Sequence, residues 1–441
     1  MVDTKEHSTF FALFVLLVAS FGGILYGYHT VILSGILKAV GSTFHLTQLD
    51  EGFLVSIILL GGLVGALFAG GAADKWGRKK VLIITALAFC IGTLVQVVTP
   101  FYSLLIAGRF FTGIAVGVTS VVSPLYLSEI APPHHRGAFV CTYQLFLASG
   151  ILLAYGVDIA FNQVTNWNTV FYIGLIPSLL QFLALFFLPE TPGWLMKHAQ
   201  KKEALETLSH LREDIEWKDH VSEMQLTAAP KKKKAFLEPY LKRLMTIGVI
   251  LSTFQQITGV NTVFYYAPKI FEISHENSTF PLLVTFGIGL VNVLATIISV
   301  VFLDKFGRRI FLLYGTLAMV VGQILLSFAT ISPITGIVGA VVYVIGFALG
   351  LGPITWVLLS EIYPLSIRGK AVGLALFANW LFNYLVSLTF LLLIEKLGMS
   401  LTFALYGFIS LLCLIFVYFY IPETKGKSLE EIEFLAAQGK L

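Results

Sequence analysis

Seven amide side chains, Gln144, Gln255, Gln256, Asn261, Asn292, Asn379 and Asn383, lie inside long apolar runs of this 441-residue chain. An amide both donates and accepts, so amides set in an apolar wall suit a neutral ligand whose hydroxyls do the same, better than charged side chains would. The same side chains can serve as glue between helices, and residue type leaves both readings open for each of them. A second set is charged and duplicated. Asp74, Gly77 and Arg78 recur as Asp304, Gly307 and Arg308, Glu129 and Arg136 as Glu361 and Arg368, and Pro189, Glu190 and Thr191 as Pro422, Glu423 and Thr424, each about 230 residues later. Carboxylates spaced this way from guanidinium groups form charge-assisted hydrogen bonds at helix ends. We expect them to latch the two repeats together at one mouth, holding an outward-open state until the latch breaks.

The elements that must position these residues are set by composition. The chain is 57% hydrophobic and only 12% charged, with a mean hydropathy of +0.85, so it needs lipid to cover its apolar surface. Twelve runs, centred near residues 20, 62, 90, 115, 149, 179, 255, 292, 320, 347, 382 and 410, each approach the roughly 20 apolar residues a membrane helix requires. They are long and continuous, unlike the short alternating strands of a membrane barrel. In lipid the amides must face other protein, where their bonds can be met. The expected fold is an all-α membrane protein, twelve helices in two pseudo-symmetric six-helix bundles. A repeat this long in the same chain direction is a pattern of secondary transporters.

Of the 29 Lys and Arg, only Lys38, Arg109, Lys269 and Lys396 fall on the side of the odd-numbered connections. Both termini and the long central connection are therefore expected in the cytoplasm. The net charge of +4 reports this asymmetry and gives no reason to expect nucleic acid as a partner. The expected organisation is a first bundle over 1–189, a linker over 190–239, a second bundle over 240–424 and a tail over 425–441. In the linker, Leu205, Leu208, Leu211 and Ile215 recur at helical spacing among charges, which reads as an amphipathic surface helix. Cys90, Cys141 and Cys413 sit in apolar spans and suggest neither a disulfide framework nor a metal site.

The chain resembles the sugar porters of the major facilitator superfamily over essentially its whole length. The resemblance is carried by the duplicated turns, by Gly108 and Arg109, Pro124 to Glu129, Pro189 to Pro192, Phe254 to Asn261, Gly352 to Trp356, and Pro422 to Gly426. It implies sugar contacts at Gln144, Gln255, Gln256, Asn261, Asn292 and Asn379. Trp356 and Trp380 would offer an aromatic face and an indole N–H to the sugar ring. It also implies a breakable tenth span at Gly352 and Pro353. A second glutamine that some members carry beyond Gln144 is Ile151 here, and Gly193 stands where the family usually has Arg.

The most informative departure is His29, at the position where proton-coupled members carry Asp and human facilitators Asn. The resemblance places it beside Arg109, making these the two coupling residues. A His gains charge on protonation where an Asp loses it, and a neighbouring cation and burial both disfavour the imidazolium. The expectation is therefore facilitated diffusion of a monosaccharide, a hexose or a pentose, by alternating access, with proton symport as its rival. No cofactor is expected beyond a coupling proton. The chain is read as a monomer in a bacterial-type plasma membrane.

Two other readings compete. A drug or metabolite exporter on the same scaffold would carry a Gly-Pro-rich repeat in the fifth span, which residues 143–150 lack. A sugar-sensing receptor would be expected to carry a long cytoplasmic signalling tail, and little sequence follows the last span. An enzyme is disfavoured, since no nucleophile, base and orienter stand at motif spacing and no phosphate loop is visible.

Overall fold

A computed structural model describes residues 2–131, 136–161, 167–211, 238–271, 279–363, 368–426 and a few positions between 431 and 438. The described residues are overwhelmingly helical. Among the described residues ten helical stretches are long and apolar enough to cross a membrane; the count falls short of twelve because one stretch holds two spans and another span is split in two. The stretch Lys370–Tyr420 has 51 residues, over twice what about 30 Å of hydrocarbon can hold. It contains the eleventh and twelfth spans, divided at Gly398 with φ 78°. The seventh span is split into Pro239–Ile257 and Val260–Phe271, neither of which qualifies alone.

The split in the seventh span has a visible cause. Gly259 takes φ +84°, and a side chain there would meet the ring of Tyr406. Breaking the helix leaves the Thr258 carbonyl without a helical partner, and two side chains of neighbouring spans supply one. Gln323 Nε2 and the Tyr343 hydroxyl both donate to it at 2.6 Å. The tenth span is likewise interrupted, between Pro333–Leu349 and Leu351–Ile362, at Gly350. Pro353 has no N–H for the Leu349 carbonyl one turn back, which instead accepts the Ser299 hydroxyl at 3.4 Å.

The two halves meet along two main seams, the second span against the eleventh and the fifth against the eighth. Exchanging the halves carries the second span into the eighth and the eleventh into the fifth, so the seams are equivalents of each other. The fold is therefore two pseudo-symmetric bundles of six helices.

The duplicated turns explain themselves at atomic level, and not as a bridge between halves. Gly77 and Gly307 both take φ +93° between two helices. Glu190 accepts the backbone N–H groups of Arg78 and Lys79 at 2.9 and 3.1 Å, and Glu423 accepts those of Arg308 and Arg309 at 3.0 Å each. Each glutamate thus caps the N-terminus of the helix that starts after the glycine, where unpaired N–H groups and the helix dipole favour an anion. Burial lifts the Glu190 carboxyl above the ordinary carboxylate range, with its N–H donors and Arg78 pulling the other way. The arginine of each turn then reaches sideways. Arg78 binds Glu129 at 2.9 and 3.1 Å and Asp74 at 3.1 Å, and Arg308 binds Glu361 at 2.8 to 3.2 Å.

Each of these knots therefore ties helices of one half. Among the described residues the ion pairs of these turns lie within one half, and the expected inter-bundle latch is not formed in this arrangement. The side chains of Arg136, Asp304 and Arg368 lie outside the described residues. Removing one partner of such a part-buried pair leaves a charge uncompensated, a cost of about 3–5 kcal/mol when burial is complete. In the linker a helix covers Lys201–Leu211; Ile215 and residues 212–237 are outside the described residues.

Candidate functional site

The amides of the second half converge on the interruption of the seventh span. Gln255 Nε2 donates to the carbonyls of Leu351 and Gly352, at 2.7 and 3.1 Å, on the far side of the break in the tenth span. Asn379, from the eleventh span, donates to Gln255 Oε1 at 2.7 Å and to the Ser252 carbonyl at 3.1 Å. Gln256 donates to Asn379 Oδ1 at 3.1 Å, and Asn261 to Gln256 Oε1 at 2.7 Å. The four amides form a chain that links the two pieces of the seventh span to the tenth and eleventh. Three of the four are at most 6% exposed and Asn261 is half-buried. Each side chain keeps further donor or acceptor capacity, which is what a polyhydroxyl ligand would use.

Asn383 lies one turn beyond Asn379 and donates to the Tyr265 hydroxyl at 3.4 Å. Gln144 on the fifth span and Trp356 on the tenth are half-buried, and Asn292 on the eighth is buried. Trp380 differs from its expected role. Its ring stacks on Tyr26 of the first span at 5.6 Å and packs against Gly62 of the second, and it is 2% exposed. That aromatic face is occupied by the other half.

In the first half, His29 and Arg109 are both fully buried. Arg109 Nη1 donates at 2.5 Å to the backbone carbonyl of His29, not to its ring, and Arg109 Nε and Nη2 have no partner. The imidazole lies between Phe89 and Tyr28, with Nε2 3.5 Å from the Ser178 hydroxyl and 3.4 Å from that of Thr93. Beside it, Gln96 donates to the Thr112 hydroxyl at 2.7 Å. No carboxylate pairs with Arg109 among the described residues.

Two contacts absent from the sequence reading close the end opposite the charged turns. Lys269 of the seventh span binds Glu51 at 2.5 Å and Gln48 at 2.9 Å, both on the second span. The Tyr155 hydroxyl of the fifth span donates at 2.7 Å to the Phe264 carbonyl of the seventh. The second and eleventh spans also touch at this end, where a methyl on Gly52 would come within 2.9 Å of the Leu388 carbonyl. Towards the charged turns the glycines of these two spans face open space. Methyls on Gly70, Gly71 and Gly373 would have no atom within 4 Å. The site is thus tied shut at one end, while glycines of the same two spans face open space towards the other.

Lys269→Ala is expected to favour opening of the sealed end by about 1 kcal/mol, roughly fivefold, because the pair is only partly buried. Since Cys90, Cys141 and Cys413 are buried, labelling of a Ser387→Cys variant, at a position 1% exposed beneath this seal, reports the opening. An unchanged labelling rate would count against the tie.

The family model "Sugar (and other) transporter" matches residues 15–436. The galactose-proton symporter of Escherichia coli (strain K12) is 35% identical over 458 residues, covering 100% of this chain and 98% of its own length. The glucose transporter GlcP of Staphylococcus epidermidis is 33% identical over 428 residues, covering 95% and 96%. The solved structure of the proton:xylose symporter XylE bound to 6-bromo-6-deoxy-D-glucose superposes with a TM-score of 0.84 at 32% identity, covering 97% and 99%.

Proposed function

The chain belongs to the sugar transporter family, and we propose on that premise that it carries a monosaccharide, a hexose or a pentose, across a bacterial-type plasma membrane by alternating access. The observation that carries this reading is the amide chain Gln255–Asn379–Gln256–Asn261 at the broken seventh span. Gln144, Asn292 and Trp356 would complete the pocket from the facing helices, with Trp380 governing the contact between halves instead of stacking on the ligand.

The sugar would enter between the halves when the end sealed by Lys269 opens, and leave through the opposite end, where glycines of the second and eleventh spans face open space. The charged turns are assigned to the cytoplasmic face, with both termini, by the distribution of Lys and Arg. On this reading the units 1–189 and 240–424 move against each other, the knots at Arg78 and Arg308 keep each one rigid, and a single chain suffices. The exporter and sensor readings have no comparable support in the site.

For the mode of transport we propose facilitated diffusion. Arg109 is bound to a backbone carbonyl, so it holds no carboxylate from which a proton could release it. Proton symport remains the second reading, favoured by relatives whose names include it. Uptake of a panel of radiolabelled hexoses and pentoses into proteoliposomes tests the proposal. Saturable uptake of at least one sugar, competed by its unlabelled form, is expected; no uptake of any would overturn it.

A further inference from the structure

Asp158, near the sealed end of the fifth span, is a buried acid that the transport scheme does not use. It is 3% exposed. Its Oδ2 accepts the Gly35 N–H at 3.0 Å and the Ser34 hydroxyl at 3.3 Å, while Oδ1 has no partner. A side chain on Gly35 would collide with this carboxyl, so the first span is shaped to receive it.

The titratable groups that face it are two phenols, Tyr28 of the first span and Tyr155 on its own helix. Both spend their hydroxyls elsewhere, on the Val170 and Phe264 carbonyls at 2.6 and 2.7 Å. His29 lies beyond Tyr28, meeting its ring edge-on at 5.5 Å. Of the cations at this end, Arg109 is bound to His29 and Lys269 to Glu51, and Lys38 and Lys396 are exposed. Among the described residues no cation forms an ion pair with the carboxyl.

A carboxylate held in an apolar interior without a cation is far more costly than a neutral acid. The two hydrogen bonds to Oδ2 favour the anion, but with no cation beside it they do not offset the lost hydration, so the buried form is the neutral acid, with the proton on the unpartnered Oδ1. One turn away on the same helix, Tyr155 makes the hydrogen bond that joins the halves at the seal. Opening that end breaks this bond and lets water reach the carboxyl, which can then lose its proton. Resting on the alternating-access reading above, we infer that Asp158 is a proton-binding residue that couples closure of this end to the acidity of the medium it faces. Protons that bind the closed form more tightly must favour it by linkage.

Two measurements test this. In proteoliposomes with equal pH on both sides, equilibrium exchange of a transported sugar should change severalfold, about five- to tenfold, between about pH 5.5 and pH 8. Asp158→Asn should be flat with pH and His29→Asn should keep the parent's dependence. Independently of transport, infrared difference spectra of the purified parent against Asp158→Asn at neutral pH should show the carbonyl stretch of a protonated carboxylic acid. Absence of that band, a pH dependence that survives in Asp158→Asn, or exchange by the parent that ignores pH would each overturn the inference. Failure of the sugar-transport reading looks different, since the parent would then exchange no sugar at any pH while the infrared band is still read. If Asp158→Asn does not fold, Asp158→Glu replaces it, and a displaced pH midpoint with a shifted band is the expected result; an unmoved midpoint overturns the inference.

Discussion

Asn379→Ala should weaken sugar binding about a hundredfold while the protein still folds and inserts. Asn379 is the hub of the amide chain, accepting from Gln256 and donating to Gln255 and to the Ser252 carbonyl. Truncating it takes one hydrogen bond from each of two neighbouring amides and from the Ser252 carbonyl, and on the proposed reading it also removes a contact with a ligand hydroxyl. Each buried group left unsatisfied costs about 1–3 kcal/mol, and two such losses give roughly the stated factor. Gln256→Ala and Asn261→Ala, nearer the end of the chain, should lose about 1–3 kcal/mol each.

The variant also separates the two uses of an intramembrane amide. If these side chains are only glue between the seventh, tenth and eleventh spans, Asn379→Ala will lower the melting temperature and leave sugar affinity within about twofold. If they form the binding wall, affinity falls by much more than stability. Calorimetric titration with a transported sugar, together with thermal unfolding of the same sample, distinguishes the outcomes.

What the sequence disclosed followed from where physics leaves a strong local trace. Apolar length fixes a membrane span almost by itself, so the twelve centres were legible even where a single glycine, Gly398, divides two spans and where Gly259 breaks a span in two. An amide in an apolar run is equally conspicuous, and the second-half amides do meet one another. The same test applied to every polar residue would also have flagged Gln96, Gln181 and Asp158, which are buried in the first half.

Partnership was not legible, because it depends on how helices are placed, and spacing along the chain is silent on that. The spacing of the duplicated charges does not say which group each one meets. The positive φ of Gly77 and Gly307 turns each following helix so that Glu190 or Glu423 caps it. A glutamate some hundred residues away, in the Pro-Glu-Thr that closes each half, is thereby explained by the Gly-Arg turn it serves. Trp380 gave the same difficulty. An indole in a membrane span suits a sugar ring and an aromatic neighbour equally well, and only the approach of Tyr26 decides between them.

The parent is expected to move its sugar without stoichiometric proton entry, and His29→Asp to create such coupling. Arg109 is fully buried, with one nitrogen on the His29 carbonyl and two without partners. A carboxylate at residue 29 would stand close to those free donors and form a buried ion pair, which protonation breaks. Sugar release and proton release would then depend on the same pair, the condition for coupling. One proton per sugar would support accumulation of roughly tenfold for each unit of pH gradient, since a pH unit is worth about 1.4 kcal/mol. His29→Asn offers no titrating group and should behave as the parent does. The measurement is alkalinisation of a lightly buffered external medium on adding sugar to proteoliposomes that contain no other carrier. Parent and His29→Asn should give no signal and His29→Asp should give one. If the parent alkalinises the medium and His29→Asn abolishes it, the imidazole is itself the proton carrier and facilitated diffusion is the wrong mode.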